Sequence, residues 1–167
     1  MPKAKYQFDD FLIAVPDEGK AFVRLIHEKL LESSYRPRIT ITKSTGFQLA
    51  YHQKGIKTTA GIILIFFKRG ETLRLRLYGK NHSHYNDVLQ ELSQPLVDQI
   101  ASASDCLKFK DPTRCFKGCI GNDVDIRGVR YQKCMVNCFE FEVDEIGIPY
   151  FLKMMEGESK ARFWDGI

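Results

Sequence analysis

Four of the five cysteines in this chain lie in one short segment, in two pairs with the same internal spacing. The segment reads RCFKGCIGNDVDIRGVRYQKCMVNCF over residues 114–139, with three residues inside each pair and fourteen between the pairs. Two close pairs of thiolates brought together by a loop are a typical ligand set for a tetrahedral Zn²⁺ ion. The spacing therefore predicts a structural zinc site whose four ligands are Cys115, Cys119, Cys134 and Cys138.

Other interpretations of these cysteines remain open. Half-buried free thiols are common in proteins, and an iron–sulfur cluster or a redox pair would also use cysteines, although the C-x-x-C spacing is missing. Cys106, with eight residues between it and Cys115, could replace one ligand. An odd number of cysteines disfavours a disulfide framework. A zinc ion held by four thiolates has no open coordination position, so we expect it to be structural and not catalytic.

The composition is that of a globular protein with a core and a mild positive charge. The 167 residues carry a formal net charge of +4, which permits an anionic partner without requiring one. The opening MPKAKYQFDD is charged, so we expect no signal peptide. The longest apolar run, GIILIFF, is far shorter than the roughly 20 residues of a membrane span. We therefore expect a soluble cytoplasmic protein that does not enter a membrane.

The first half of the chain changes from helical to strand periodicity. Residues 8–15 and a stretch from Asp17 to about Ser33 have helical spacing. In the second stretch we expect one stripe to face the core: Phe22, Val23, Ile26 and Leu30. From Arg36 onward the period is two, as in a strand. These stretches are RITIT (38–42), FQLAYH (47–52), GIILIFFK (61–68) and TLRLRLY (72–78). The third is apolar on both faces, as expected for a central, buried strand. They predict an α+β fold with a four-stranded antiparallel meander covered by helices on one face.

The second half predicts two helical stripes over 82–103, a further strand at FEFEV (139–143) and a last helix opened by Pro149. We expect a helix-plus-sheet domain over 1–104, a cysteine-rich metal module over 105–145 and a C-terminal helix and tail over 146–167. The three parts should pack as one compact unit.

The opening FLIAVPDEGKAFVRLIHEKL, followed by a meander that ends in LRLYGK, resembles the small bacterial YdhG-like domains of unknown function. Those domains have a short helix, a break at proline, a long helix and a curved antiparallel sheet. The resemblance covers about residues 8–80 and leaves out the cysteine segment. It implies an architecture and no catalytic residue.

One face of the predicted sheet carries candidate ligand-binding residues. Alternation with buried leucines places Arg74, Arg76 and Tyr78 on the polar side of the fourth strand, and we expect His52 on the same side. Arginines beside an aromatic ring suit phosphate contact and base stacking. They suit an anionic small molecule equally well, and a sheet face that only meets water is also consistent with the pattern.

No nucleophile motif and no phosphate-binding glycine loop is present in the sequence. We therefore predict a zinc-stabilised, non-enzymatic binding module for an anionic small ligand or nucleic acid. One alternative is a small enzyme with its site between the sheet face and the cysteine module, using His52, Tyr78 or Glu140. Another is a protein–protein adaptor that makes contact through Phe163 and Trp164.

Overall fold

The computed structural model describes residues 6–56 and 58–164, with Trp164 described by its backbone alone. The fold is mixed α+β with an antiparallel sheet. The helices are α1 (Phe8–Ala14), α2 (Asp17–Glu32), α3 (Asn86–Glu91), α4 (Gln94–Ser102), the one-turn α5 (Leu107–Lys110) and α6 (Ile148–Trp164). The strands are β1 (Tyr35–Thr42), β2 (Gly46–Gln53), β3 (Ile62–Arg69), β4 (Thr72–Leu77), β5 (Asn122–Ile126), β6 (Val129–Lys133) and β7 (Phe139–Glu142). Within the described ranges, no helix combines the length and apolar character needed to cross a membrane.

The sheet contains five strands among the described residues, in the order β1-β2-β3-β4-β7. The predicted four-stranded meander, β1 to β4, is confirmed, and the sheet has a fifth strand beside it. The strand predicted at 139–143 is β7, and it joins the sheet at β4. The pattern of one strand cannot show which other strand it pairs with, so the fifth position could not be predicted from it. A separate antiparallel hairpin consists of β5 and β6.

The chain divides into two compact units. The first consists of Met1–Leu75 and Glu142–Asp144, and the second of Arg76–Phe141 and Glu145–Ile167. The expected division into 1–104, 105–145 and 146–167 stays a prediction.

The core of the first unit follows the hydrophobic pattern. Val15 has an extended backbone (φ −77°, ψ 135°) and ends α1, because the residue before a proline disfavours the helical conformation. The predicted stripe of α2 is buried, and the ring of Phe22 packs edge-on against Phe66 with centroids 5.8 Å apart. Six consecutive residues of β3, Ile62–Phe67, are buried, as expected for a strand in the middle of a sheet.

The core of the second unit includes three aromatic rings and the apolar side of the β5–β6 hairpin. Phe141 stacks between Phe139 and Phe151, with centroids 6.4 and 5.0 Å away. The hairpin turns at Arg127 and Gly128, which both have positive φ (52° and 80°). Such a turn matches the twist of the strands it joins. The hydrophobic pattern of the sequence does not predict this hairpin.

Candidate functional site

The cysteine segment lies in the second unit, and all of its cysteines are free thiols. The backbone N–H of Cys138 donates to the carbonyl of Cys134 at 2.9 Å, so these two residues are one helical turn apart. The Cys119 thiol interacts with the thiols of Cys115 and Cys106, which both raise its pKa. In the described part of the chain, no group of three or more His, Cys, Asp or Glu side chains is arranged to hold a metal ion. The four-thiolate zinc site therefore stays a prediction.

Burial favours the neutral form of two of these thiols. It raises the pKa of Cys138 to about 12, because the thiolate loses its hydration, while Asn122 and Lys133 act in the opposite direction. Burial also raises the pKa of Cys119. A metal ion that bound here would have to displace these protons.

Asn122 is a buried amide next to this pair. It is 0% exposed and its side chain lies beside the Cys138 thiol. Neither Nδ2 nor Oδ1 makes a well-formed hydrogen bond within the described residues. A buried polar group without a partner costs about 1–3 kcal/mol. A thiolate at Cys138 would give the Asn122 N–H group a strong acceptor, which fits a metal-bound form of that cysteine.

Residues 107–120, which begin with α5, form a segment that we call the basic aromatic loop. Phe109 and Phe116 are 40% and 60% exposed, and Leu107 and Ile120 are also exposed. The loop contains one acidic residue, Asp111, and the four cationic residues Lys108, Lys110, Arg114 and Lys117. Exposed aromatic rings between cations are unusual on a surface that only meets water, because apolar groups gain free energy from burial.

The backbone of this loop is held in place by its own polar groups. The ammonium group of Lys108 donates to the carbonyl of Cys119. Asp111 accepts hydrogen bonds from the backbone N–H and the hydroxyl of Thr113, at 3.0 and 2.7 Å. The exposed side chains of Arg114 and Lys117 have no ion-pair partner among the described residues. Their charges are therefore directed to solvent or to a ligand.

Gly121 fixes the ring of Phe109. Its φ is +67°, and a Cβ atom at this position would lie 2.8 Å from the Phe109 ring and 2.8 Å from Cys106 Sγ. Only glycine tolerates both the conformation and the close contact. The Cε2–Cζ edge of the Phe109 ring thus packs on the Gly121 backbone, while the residue as a whole remains 40% exposed.

A cleft of about 290 Å³ lies next to Phe109 in the same unit. It is lined by Ala101, Asp105, Cys106, Phe109, Lys110, Arg130, Tyr131, Gln132 and Lys133. Lys133 is already used, since its Nζ donates to the carbonyls of Ala101 and Ala103 at 2.7 and 2.9 Å and to Asp105 at 2.9 Å. Lys110 and Arg130 also line it and are exposed; Lys110 Nζ lies 3.6 Å from Asp105 Oδ2, and Arg130 Nε donates to Asp123 Oδ1 at 2.7 Å.

The arginines of β4 are paired with carboxylates. The Arg74 Nη1 donates to Glu142 Oε1 at 3.0 Å, and the Nε and Nη2 of Arg76 donate to Glu140 Oε2 at 3.1 and 2.7 Å. The predicted alternation is confirmed, because the three leucines of β4 are buried. The two arginines are nevertheless less exposed than expected: the exposed fraction of the side chain is 14% for Arg74 and 23% for Arg76.

The other predicted ligand-binding residues are half-buried. His52 lies on β2 in the first unit, where burial and the charge of Arg38 lower its pKa and favour the neutral ring. Tyr78 belongs to the second unit, where it interacts with the Arg76 guanidinium, and its carbonyl accepts from Arg162 Nη2 at 2.7 Å. The role of these residues in ligand binding stays a prediction.

The predicted protein–protein contact lies at the end of α6. Phe163 is 39% exposed, while the side chain of Trp164 lies outside the described residues. The adaptor hypothesis therefore stays a prediction.

A buried carboxylate on α6 was not predicted from the sequence. Glu158 is 0% exposed and accepts from the backbone N–H groups of Lys80 and Asn81 at 3.2 and 2.9 Å, and from Arg162 Nε at 2.8 Å. The Tyr85 hydroxyl donates to it as well, at 3.2 Å. The i,i+4 spacing of Glu158 and Arg162 was the only signal in the sequence. Because the carboxylate is well supplied with donors, it anchors α6 and offers little to a ligand.

No family model, curated protein or solved structure matches this chain. The resemblance of residues 8–80 to YdhG-like domains is neither supported nor contradicted, and it stays a prediction.

Proposed function

We propose that this chain is a non-enzymatic binding module whose basic aromatic loop holds single-stranded nucleic acid. The observation that carries the proposal is the exposure of Phe109 and Phe116 in a loop that contains four cations. Proteins that bind single strands without sequence preference combine aromatic rings, on which bases stack, with cations that contact the phosphates. The loop offers both elements within fourteen residues.

The neighbouring cleft supports the same proposal. Tyr131 and Phe109 line it together with Lys110 and Arg130. These two cations pair with Asp105 and Asp123, but their side chains are 69% and 68% exposed, so a phosphate can replace the carboxylates at small cost. The paired arginines of β4 offer less, because their side chains are only 14% and 23% exposed. An anionic small molecule bound in the cleft is the second candidate.

The test is fluorescence anisotropy of the full chain with labelled oligo(dT) of about 15 nucleotides, within the known range of site sizes, and with a duplex of the same length. We expect the single strand to bind more tightly. The F109A/F116A double variant should lose about 1–3 kcal/mol of binding free energy for each base that no longer stacks. The melting temperature should fall modestly through the lost packing of Phe109 on Gly121, while Phe116, which is 60% exposed, contributes little to it.

A matched control is the I13A/I41A double variant, which removes two exposed apolar side chains, 79% and 54% exposed, from the first unit. It should bind as the wild type does. Failure of the wild type to bind any oligonucleotide would contradict the proposal. An equal loss of oligonucleotide affinity in F109A/F116A and in I13A/I41A would contradict it as well. Binding of a nucleotide but of no oligonucleotide would favour the small-molecule candidate.

We propose, as a second part, that one zinc ion bound by Cys115, Cys119, Cys134 and Cys138 stabilises this segment. The duplicated spacing supports it, and so does the buried amide of Asn122, which lacks a well-formed hydrogen bond among the described residues and lies beside Cys138. Elemental analysis of the purified protein should find about one zinc per chain. Its absence after purification without chelators, and after addition of Zn²⁺, would contradict this part.

Substitution of the ligands provides a second test. Changing any one of the four to Ser should lower hydrogen-exchange protection mainly over residues 106–145, because metal affinity in a small module contributes directly to folding. Cys106→Ser is the matched control, since it also replaces a buried thiol in this segment but should leave zinc content unchanged. Unchanged protection in every ligand variant would mean that no structural metal is bound.

A further inference from the structure

We infer that the first unit carries a separate binding site, a cleft that takes a small amphipathic carboxylate. The cleft has a volume of about 280 Å³ and lies beside α1 and the β1–β2 turn. Its lining residues are Phe11, Ala14, Val15, Ser44, Thr45, Gly46, Phe47, Lys68 and Gly70. The inference does not depend on the nucleic-acid proposal, because no residue of this cleft belongs to the basic aromatic loop.

One part of the cleft is apolar. Phe11 and Val15 are 1% and 3% exposed, so they provide a wall that is already packed against the core. Phe47 is half-buried, and Tyr6 packs edge-on against it with ring centroids 5.1 Å apart. The apolar walls are therefore formed before any ligand arrives, which reduces the entropic cost of binding.

Among the described residues, the polar part of the cleft has one cation and two hydroxyl groups. Lys68 pairs with Glu71 at 3.4 Å, but the Glu71 side chain is 99% exposed. Pairs with such an exposed partner contribute little to stability, so a ligand carboxylate can replace Glu71 at small cost. The charge of Lys68 is thus available to an anion that also fills the apolar part.

The hydroxyl groups come from a turn that is fixed by its own hydrogen bonds. The Thr45 N–H donates to Thr42 Oγ1 at 3.0 Å, and the two threonine hydroxyls are 2.6 Å apart. Within the part of the chain that the structure describes, the Ser44 hydroxyl makes a single long contact, to Thr42 Oγ1 at 3.5 Å. It can therefore rotate to donate to a carboxylate next to Lys68.

These features select the class of ligand. A single cation with hydroxyl donors suits a monoanion, and it would repel an amine of the same shape. The apolar walls require a hydrocarbon or aromatic body. A volume slightly below the roughly 300–1,000 Å³ of ordinary small-molecule sites limits that body to about ten non-hydrogen atoms. A medium-chain fatty acid or a small aromatic carboxylate meets all three conditions.

The test is an NMR titration of the full ¹⁵N-labelled chain with octanoate, octanol and octylammonium, which share one hydrocarbon body. We expect octanoate to bind with a dissociation constant on the order of 0.1–1 mM, in keeping with the ligand efficiency of so small a molecule. Its chemical-shift changes should centre on residues 11–15, 44–47 and 68. Octanol should bind at least about 5-fold more weakly, because it cannot form an ion pair with Lys68. Octylammonium should bind more weakly still, because its positive charge is repelled by that of Lys68.

Two variants separate charge from shape. Lys68→Met keeps the apolar stem and should abolish the preference for octanoate over octanol, while Lys54→Met, another first-unit lysine that is exposed, should leave it unchanged. Ala14→Phe should fill the cleft and weaken all three probes. Hydrogen exchange or melting of each variant will verify that it folds.

The inference is overturned if octanoate produces no shifts at these residues, if octanol binds equally well, or if Lys54→Met and Lys68→Met behave alike. The F109A/F116A variant provides the link to the other proposal. This variant changes the basic aromatic loop but not the first-unit cleft, so it should bind octanoate as the wild type does. The carboxylate site and the nucleic-acid site can therefore be tested independently.

Discussion

Two cationic surfaces of this protein, one on β4 and one in the basic aromatic loop, differ in what surrounds their charges. Arg74 and Arg76 on β4 donate to the carboxylates of Glu142 and Glu140 at 2.7–3.1 Å. Arg114 and Lys117 in the loop are exposed and have no such partner among the described residues. The same residue types thus hold a strand in one place and face the solvent in the other.

The difference shows why a cation in a sequence pattern is weak evidence for an anion site. The alternation that placed the β4 arginines on the polar side is confirmed. Their partners, however, are 64 and 68 positions away in the chain, where no local pattern connects them. In the loop, by contrast, the rings and charges lie within fourteen residues, and their exposure is the new information.

The largest expected effect is on stability, from Arg76→Ala. This change leaves Glu140, whose side chain is 8% exposed, without its closest cation. Removing one partner of a fully buried pair costs about 3–5 kcal/mol, and we expect about 2–3 kcal/mol here because Arg76 is partly exposed. Chemical denaturation gives the value directly.

Arg114→Ala is the matched control for this prediction and should change the free energy of unfolding by less than about 0.5 kcal/mol. Removing both partners, in R76A/E140A, should recover part of the loss. If Arg76→Ala were as stable as the wild type, the two surfaces would not differ in the way proposed, and the β4 face would regain interest as a ligand site.

A smaller loss of stability is expected for Gly121→Ala. The left-handed conformation alone costs a residue with a Cβ atom roughly 1–2 kcal/mol. The new methyl group would also displace the Phe109 ring, so single-strand binding should weaken even though both phenylalanines remain. Denaturation and anisotropy measure the two effects. Gly128→Ala is the control, because its φ is also positive (+80°) but its Cβ would meet nothing within 4 Å, so only stability should suffer.

Most of the fold could be predicted from the sequence, because hydrophobic alternation is a local signal. It identified β1 to β4, the burial of β3 and the buried face of α2. It missed the β5–β6 hairpin, in which acidic residues alternate with buried ones and the turn uses Arg127 at positive φ in place of the usual asparagine. It also missed the place of β7, since pairing between distant strands is decided by the whole fold.

Less of the candidate site could be predicted. The sequence shows that phenylalanines and cations alternate in LKFKDPTRCFKGCI, but not that these rings stay exposed. That outcome depends on the packing of Phe109 against Gly121, a contact made across twelve positions. The cysteine pairs were visible at once, yet spacing alone could not indicate that the Cys106 thiol interacts with Cys119 and raises its pKa.

The third prediction concerns the salt dependence of binding. R114A/K117A should weaken oligo(dT) binding several-fold and reduce the slope of log K against log salt by about 1.4, since each phosphate contact on a single strand contributes about 0.7. Lys43→Ala combined with Lys54→Ala removes the same charge from exposed positions of the first unit and is the control. An equal change of slope in both pairs would mean that net charge, and not the loop, sets the affinity.

The smallest expected effect is on the acid stability of the hairpin. Arg130 Nε donates to Asp123 Oδ1 at 2.7 Å, and chiefly this interaction lowers the pKa of Asp123 from 3.8 to about 2. A carboxyl whose pKa is lower in the folded state stabilises the fold above its unfolded pKa, and the contribution disappears as the pH falls from about 4 to about 2. Asp123→Asn should therefore destabilise the protein slightly at neutral pH and hardly at all at pH 2. Thermal melts of both proteins across this range measure the difference, which must be small because the Arg130 side chain is 68% exposed. A gap between the two proteins that widened toward pH 2 would show that Asp123 is stabilised in its protonated form, and the pairing with Arg130 could then not be the dominant interaction at this site.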